Sequence, residues 1–225
     1  MTGFVLPPPP VPSVAVAGRA DRFAVRRIFC VGRNYAEHAR EMGHAPDEAP
    51  PFFFTKPADA VVDSGASLPY PPLTADLQHE AELVVAIGAP GTDLSPEDAA
   101  ALVWGHAAGN DLTRRDLQAE AKALRRPWDM SKGFDASAVV GPIRPGHIGD
   151  AAIRCTVDGR VTQQARLSDM IWDVPHLLSH LSRFVALAPG DLVFTGTPAG
   201  VGPILRGQTV TVTIDGLDPA TVSLT

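Results

Sequence analysis

Cysteine is nearly absent: Cys30 and Cys155 are the only two in 225 residues, and they stand far apart in the chain. With no paired spacing there is no zinc-type ligand set and no disulfide framework, so both are expected as reduced core thiols. A basic surplus is missing too. The formal net charge of −6 and a pI near 5.6 exclude a general affinity for nucleic acid or anionic membrane, both of which need a basic face. The expected ligand is therefore a small molecule. Residues 1–12, MTGFVLPPPPVP, contain neither a basic leader region nor an apolar run long enough for a signal peptide or a span, which predicts a cytoplasmic protein. No internal repeat is visible.

What the sequence has in quantity is hydrophobic residues, 45% of the chain, enough to bury one substantial core. The four prolines Pro7 to Pro10 favour an extended chain without backbone donors, so residues 1–27 read as an arm and lead-in and residues 28–225 as a single domain. A Pro-rich recognition ligand is the alternative reading of that arm. The 22 prolines and 20 glycines cut the chain into short elements, which suits a β-rich fold. Strands are predicted at Ile28 to Val31, Phe52 to Thr55, Glu80 to Ile87, Ala152 to Val157, Leu192 to Thr195 and Thr209 to Ile214, with Asp158-Gly159 as a hairpin turn. Helices are fewer: Tyr35 to Met42, Pro96 to Val103 capped by Ser95 with Asp98 in the capping-box position, Thr113 to Leu124, and Val174 to Phe184.

In the run His79 to Ile87, a period of two puts Glu80 and Glu82 on one strand face and Ala81, Leu83, Val85 and Ile87 on the other. Past Glu82 the acidic face becomes apolar at Val84 and Ala86. Two carboxylates entering a strand buried on both sides call for a cation, whereas a strand end facing water is the plainer reading. The small-residue stretch Val103 to Gly109 then delivers Asp111 to the start of a polar helix, where Asp111 or Thr113 alone would serve as a cap. Together Glu80, Glu82 and Asp111 make an all-oxygen set without His or Cys, which is ligand chemistry for Mg2+ or Mn2+ rather than zinc.

Basic residues gather after Asp111: six against five acids up to Asp135, inside an acidic chain. Arg115 and Gln118 lie three apart on the predicted helix and share a face, offering a guanidinium fork and an amide to a carboxylate. His38 and Glu41 have the same spacing on the Tyr35 helix, where the acid can orient the imidazole, although a solvated surface pair has the same spacing. Arg114, Arg125 and Arg126 are read as solvated. His106, His147, His176 and His180 fit no site pattern.

Six segments in order, GRNYAEH from Gly32, FTKP from Phe54, HEAEL from His79, DLTRRDLQ from Asp111, KGFD from Lys132 and TGTPAGVG from Thr195, resemble the successive motifs of the fumarylacetoacetate hydrolase superfamily. They span about residues 28 to 215, and the resemblance is nearest to its fumarylpyruvate hydrolase branch, from Arg33 to Met42 with Gly43-His44, from Pro51 to Val61, and through Arg126 to Met130. The resemblance implies a β-rich α+β fold, a mixed β-sandwich roll with a few peripheral helices, usually homodimeric. It also implies a Mg2+ or Mn2+ ion on Glu80, Glu82 and Asp111, and a pocket lined by Arg115, Gln118, Lys132 and Thr197. His38 and Glu41 would be a catalytic pair on a lid, with Lys132 as a third catalytic residue. Gln78 departs from the pattern where many relatives carry a second histidine. The chain also lacks room for the extra N-terminal domain of the tyrosine-pathway enzyme, which argues against that substrate.

The implied reaction is hydrolysis of a C–C bond in an acylpyruvate, 3-fumarylpyruvate to fumarate and pyruvate in gentisate breakdown, with no nucleic-acid or membrane partner. Maleylpyruvate or another acylpyruvate is the nearest variant. Oxaloacetate decarboxylation or tautomerisation uses the same machinery without a hydrolytic water, and a catalytically silent metal-binding or interaction protein is the distant alternative.

Overall fold

The computed structural model describes residues 3–41, 43 and 50–225. Among the described residues five α-helices decorate the sheets: α1 (Ala36–Glu41), α2 (Pro96–Ala101), α3 (Arg115–Ala123), α4 (Asp129–Lys132) and α5 (Val174–Ser182). The predicted end of the first helix at Met42, and His44 beside it, lie outside the described residues.

An eight-stranded mixed sheet forms the frame. From one edge it runs Phe52–Lys56, Arg27–Gly32, Asp191–Phe194, Ala81–Ile87, Val103–Asp111, Ala138–Val140 and Val61–Asp63, with Arg144–Pro145 added to Val103–Asp111. A five-stranded sheet, Arg160–Arg166, Ala152–Val157, Thr209–Ile214, Ala220–Leu224 and Ala66–Leu68, packs across one face. The strand Ala81–Ile87 is buried along its whole length. Its residues Ala81, Leu83, Val85 and Ile87 enter the core between the sheets, while Val84 and Ala86 enter a second core on the opposite face. That division is the one the alternating sequence predicts. Val14 and Val25, in the stretch read as lead-in, are buried in the second core, whereas Phe4, Val5 and Leu6 are exposed.

Ser95 caps α2 as expected, its hydroxyl oxygen accepting the Asp98 N–H at 3.1 Å. Asp158 and Gly159, both at positive φ, turn the hairpin between Val157 and Arg160. One element differs from expectation. Val103–Asp111 is a nine-residue strand, so Asp111 ends a strand rather than opening a helix, and α3 starts at Arg115 with no side-chain cap. Small residues explain this: Ala107, Ala108 and Gly109 lie flat in the sheet, and a Cβ on Gly109 would meet Val84 at 2.4 Å. Sheet packing there outweighs local helix preference.

Candidate metal centre and pocket

Register brings the three acids together. Ala81 pairs with Asn110 and Glu82 with Gly109, so Asp111 comes level with Glu80, and the Asp111 N–H donates to the Glu80 carbonyl at 2.9 Å. The Asn110 side chain accepts the Glu80 N–H at 3.0 Å, which fixes the ladder where the strand begins. One carboxylate oxygen from each of Glu80, Glu82 and Asp111 lies within 4.8 Å of the others, and all three residues are buried.

Cationic side chains answer two of these acids. Lys132, at the end of α4, donates to Glu80 Oε2 at 2.7 Å and to Asp111 Oδ2 at 2.8 Å. Lys56, fully buried, sits 2.7 Å from Asp111 Oδ1 and donates to the carbonyls of Leu112 and Lys132. Arg115 reaches Glu80 Oε1 through Nη2, Gln118 Oε1 through Nη1 at 2.7 Å and Gln78 Oε1 through Nε at 2.8 Å. Burial disfavours the charge of Glu80, but Lys132, Arg115 and His38 more than offset it and hold its pKa below the ordinary carboxylate range.

Glu82 is treated differently. Its oxygen accepts one backbone bond, from the Gly196 N–H at 2.7 Å. Burial first, then the neighbouring charges of Asp111 and Glu80, push its pKa well above the ordinary range. A cation within reach of Glu82 would reverse that penalty. The three acids thus fit a hard divalent ion, with Glu82 as the ligand whose charge most needs one. Gly196 is needed for its own contact: its φ is +96°, and a Cβ there would stand 2.7 Å from that of Asn34.

Around the acids runs a cavity of about 40 Å³ lined by His38, Arg115, Gln118, Lys132 and Thr197, all expected at the site, together with Arg33, Lys122, Phe52, Phe54 and Trp128. His38 is buried, and its Nδ1 lies 3.1 Å from Glu41 Oε2. Glu41 accepts the Gly200 N–H at 3.0 Å, so the loop that binds Glu82 also fixes the partner of His38. Thr197 Oγ1 accepts from Gln163 Nε2 at 2.8 Å, and Gln163 in turn accepts from the Ala81 N–H at 3.0 Å. His106, His147, His176 and His180 do not line this cavity.

Lys56, Gln163 and the aromatic wall were not anticipated. Lys56 had a signal in its place within the FTKP segment, and it is the one buried residue of the strand Phe52–Lys56. Gln163 had none, because it comes from the second sheet.

A family model described as fumarylacetoacetate (FAA) hydrolase C-terminal matches residues 27–224. Among solved structures, fumarylpyruvate hydrolase from Pseudomonas aeruginosa in complex with Mn2+ and pyruvate is 48% identical, with a TM-score of 0.96 and 99% of each chain covered. The chain is 41% identical over 177 residues to the fumarylpyruvate hydrolase of Ralstonia sp., covering 77% of this chain and 91% of that one. It is 40% identical over 199 residues to the mitochondrial oxaloacetate decarboxylase of Dictyostelium discoideum, covering 86% and 90% respectively.

Proposed function

Because this chain belongs to the fumarylacetoacetate hydrolase family, we propose that it hydrolyses an acylpyruvate, 3-fumarylpyruvate first among them, to a carboxylic acid and pyruvate. The reading places one Mg2+ or Mn2+ on Glu80, Glu82 and Asp111, within a single catalytic domain over residues 28–225. The observation that carries it is the buried acid cluster with Glu82 short of a counter-charge, whose Glu80 and Glu82 line one cavity with His38, itself paired to Glu41. Glu80 and Asp111 meet Lys56, Lys132 and Arg115, whereas Glu82 meets none of the three, so the missing counter-charge is at Glu82. A divalent ion there would add the positive charge that favours a pyruvate carboxylate and the charge developing on the neighbouring oxygen. An ion held by Glu80, Glu82 and Asp111 would supply Lewis-acid stabilisation of negative charge at the pyruvate end.

The chain's residues supply the rest. Arg115 occupies the oxygen of Gln118, which leaves the Gln118 amide N–H groups for the substrate carboxylate. Arg115 acts with it as the pyruvate-end anchor, while Gln78 and Glu80 hold the guanidinium in place. Lys132 spends two of its three N–H bonds on Glu80 and Asp111, and the third remains for a substrate oxygen. The Thr197 hydroxyl, accepting from Gln163, has its own proton to donate. Glu41 favours the tautomer of His38 with the proton on Nδ1, so Nε2 takes a proton from water and the oxygen attacks the acyl carbonyl. That proton then completes the departing three-carbon product as pyruvate. His38 reaches this cavity from α1, which we read as part of a lid that opens for substrate and closes over it.

A cytoplasmic, homodimeric enzyme of gentisate catabolism completes the proposal; no helix among the described residues is long and apolar enough to cross a membrane. The likeness to an oxaloacetate decarboxylase supports a second reading, in which the same anchor acts without an attacking water. Turnover of fumarylpyruvate by the manganese-loaded protein in 18O-water separates the two. One labelled oxygen in fumarate is expected; oxaloacetate turnover with no acylpyruvate cleavage would overturn the hydrolase reading.

A further inference from the structure

Two cations in the cavity have no part in the chemistry above. Arg33 and Lys122 line it beside the acids, yet among the described residues neither forms an ion pair or a side-chain hydrogen bond. Other arginines near the surface do: Arg22 pairs with Asp63, Arg27 with Asp191 and Arg166 with Asp150. What Arg33 and Lys122 touch is aromatic. The Arg33 guanidinium lies 5.4 Å from the centre of the Phe52 ring, and the Lys122 ammonium 5.2 Å from that of Trp128. These two rings meet edge to face at 5.7 Å, so the cations flank one continuous wall.

Their placement is built. Arg33 has a φ of +59°, a costly conformation for a residue with a side chain, and it is held there from both sides. Its neighbour Asn34 is clamped by bonds to Trp172, whose N–H it accepts at 2.8 Å, and to the Thr195 carbonyl at 2.8 Å. On the other side Gly32 lets the Phe52 ring lie against the backbone, where a Cβ would be 2.0 Å from the ring tip. Lys122 stands on α3, seven residues after Arg115 and four after Gln118, so all three share one helix face. From Arg115 to Lys122 the axis advances about 10 Å at about 1.5 Å per residue, the length scale of a short extended dicarboxylate. Lys122 has its pKa lowered by burial and then by Arg115 and Arg33, a positive surrounding that Glu80 offsets only in part.

We propose that Arg33 and Lys122, with Phe52 and Trp128 as the wall between them, form a second anion subsite that takes the far carboxylate of the acyl group. It makes the enzyme selective for acylpyruvates ending in a carboxylate over those ending in a methyl group. The proposal rests on the acylpyruvate reading, with the pyruvate end at Arg115 and Gln118. A flat unsaturated chain then lies against the rings, and its terminal charge reaches the two cations.

The test uses the full-length, manganese-loaded protein, Lys122→Met, Arg33→Gln and the double variant. In steady state, KM for fumarylpyruvate should rise about tenfold in each single variant, the scale of one partly solvated charge-assisted hydrogen bond. Kinetics with acetylpyruvate should stay within about twofold on the same scale. Equal losses with both substrates, or no loss with either, would overturn the subsite. A second measurement needs no turnover: calorimetric titration of fumarate and of crotonate, which carries a methyl in place of one carboxylate, with oxalate saturating the pyruvate end. Fumarate should bind more tightly than crotonate in the wild type, and the double variant should erase that preference while oxalate affinity holds. No preference in the wild type would sink the proposal even if acylpyruvate cleavage stands; a preference in a protein that cleaves no acylpyruvate would keep the subsite and remove the reaction.

Discussion

Replacing Glu82 by Gln separates the cost of the acid cluster from its use. Glu82 is 1% exposed, accepts one backbone bond and carries a raised pKa. Because the folded-state pKa lies above the unfolded value, the stability linked to this group is full below the unfolded pKa and is lost as pH rises through the folded one. The metal-free wild type therefore loses stability above about pH 4.5, and Glu82→Gln, which keeps an oxygen for Gly196, removes that loss. Metal-free Glu82→Gln should thus be at least as stable as wild type at pH 8. With metal the order reverses. Loss of an outer-shell partner costs about 10- to 100-fold in metal affinity, so loss of a ligand should cost about 100-fold or more. At a free Mn2+ concentration of about 100 times the wild-type Kd, binding stabilises wild type by about 2.7 kcal/mol, and the variant by about 0.4 kcal/mol. For a chain of this size that is a rise in Tm of about 5–11 °C against about 1–2 °C. Thermal unfolding of chelator-stripped protein with and without Mn2+ reads both numbers. A full Mn2+ shift in the variant, or a metal-free variant several degrees less stable than wild type at pH 8, would refute Glu82 as the ligand in need of a cation.

Lys56→Met leaves Asp111 Oδ1 and two carbonyls facing an apolar side chain in a fully buried position, so chemical denaturation should show a loss of about 3–5 kcal/mol. His38→Ala should lower acylpyruvate turnover by about two to four orders of magnitude with metal affinity nearly intact, and impair oxaloacetate decarboxylation less, as paired kinetic assays would measure. Equal loss in both reactions would make His38 a substrate ligand or a lid anchor instead.

Much of the site was legible because its pieces are local in sequence. Glu80 and Glu82 declare themselves by alternation inside an apolar strand, and both faces of that strand pack as the pattern says. His38 with Glu41 and Arg115 with Gln118 sit three apart on helices, and each pair does touch. What periodicity could not give is which partners a side chain meets across the fold. Arg115 reads as a free fork, yet Gln78 and Glu80 come to it from more than thirty positions away in sequence. Asp111 reads as a helix opener because the helix-forming residues that follow it are visible locally, whereas the sheet that claims Val103–Asp111 is assembled from distant segments. Lys56 and Gln163 are in the same position, since their reasons for being buried lie on other elements.

Within the loop over residues 195–202, Gly196 holds Glu82 and Gly200 holds Glu41. One short stretch of backbone thus serves as a common strut for the acid cluster and for the His38–Glu41 pair on α1, while the aromatic wall of Phe52 and Trp128 is carried by other segments. For protein engineering this divides the cavity into an engine and an interchangeable tool. On the subsite proposed above, changes at positions 33, 52, 122 and 128 should retune which acyl chain is admitted while the strut keeps its hold. Any change that moves the strut disturbs both halves of the engine together.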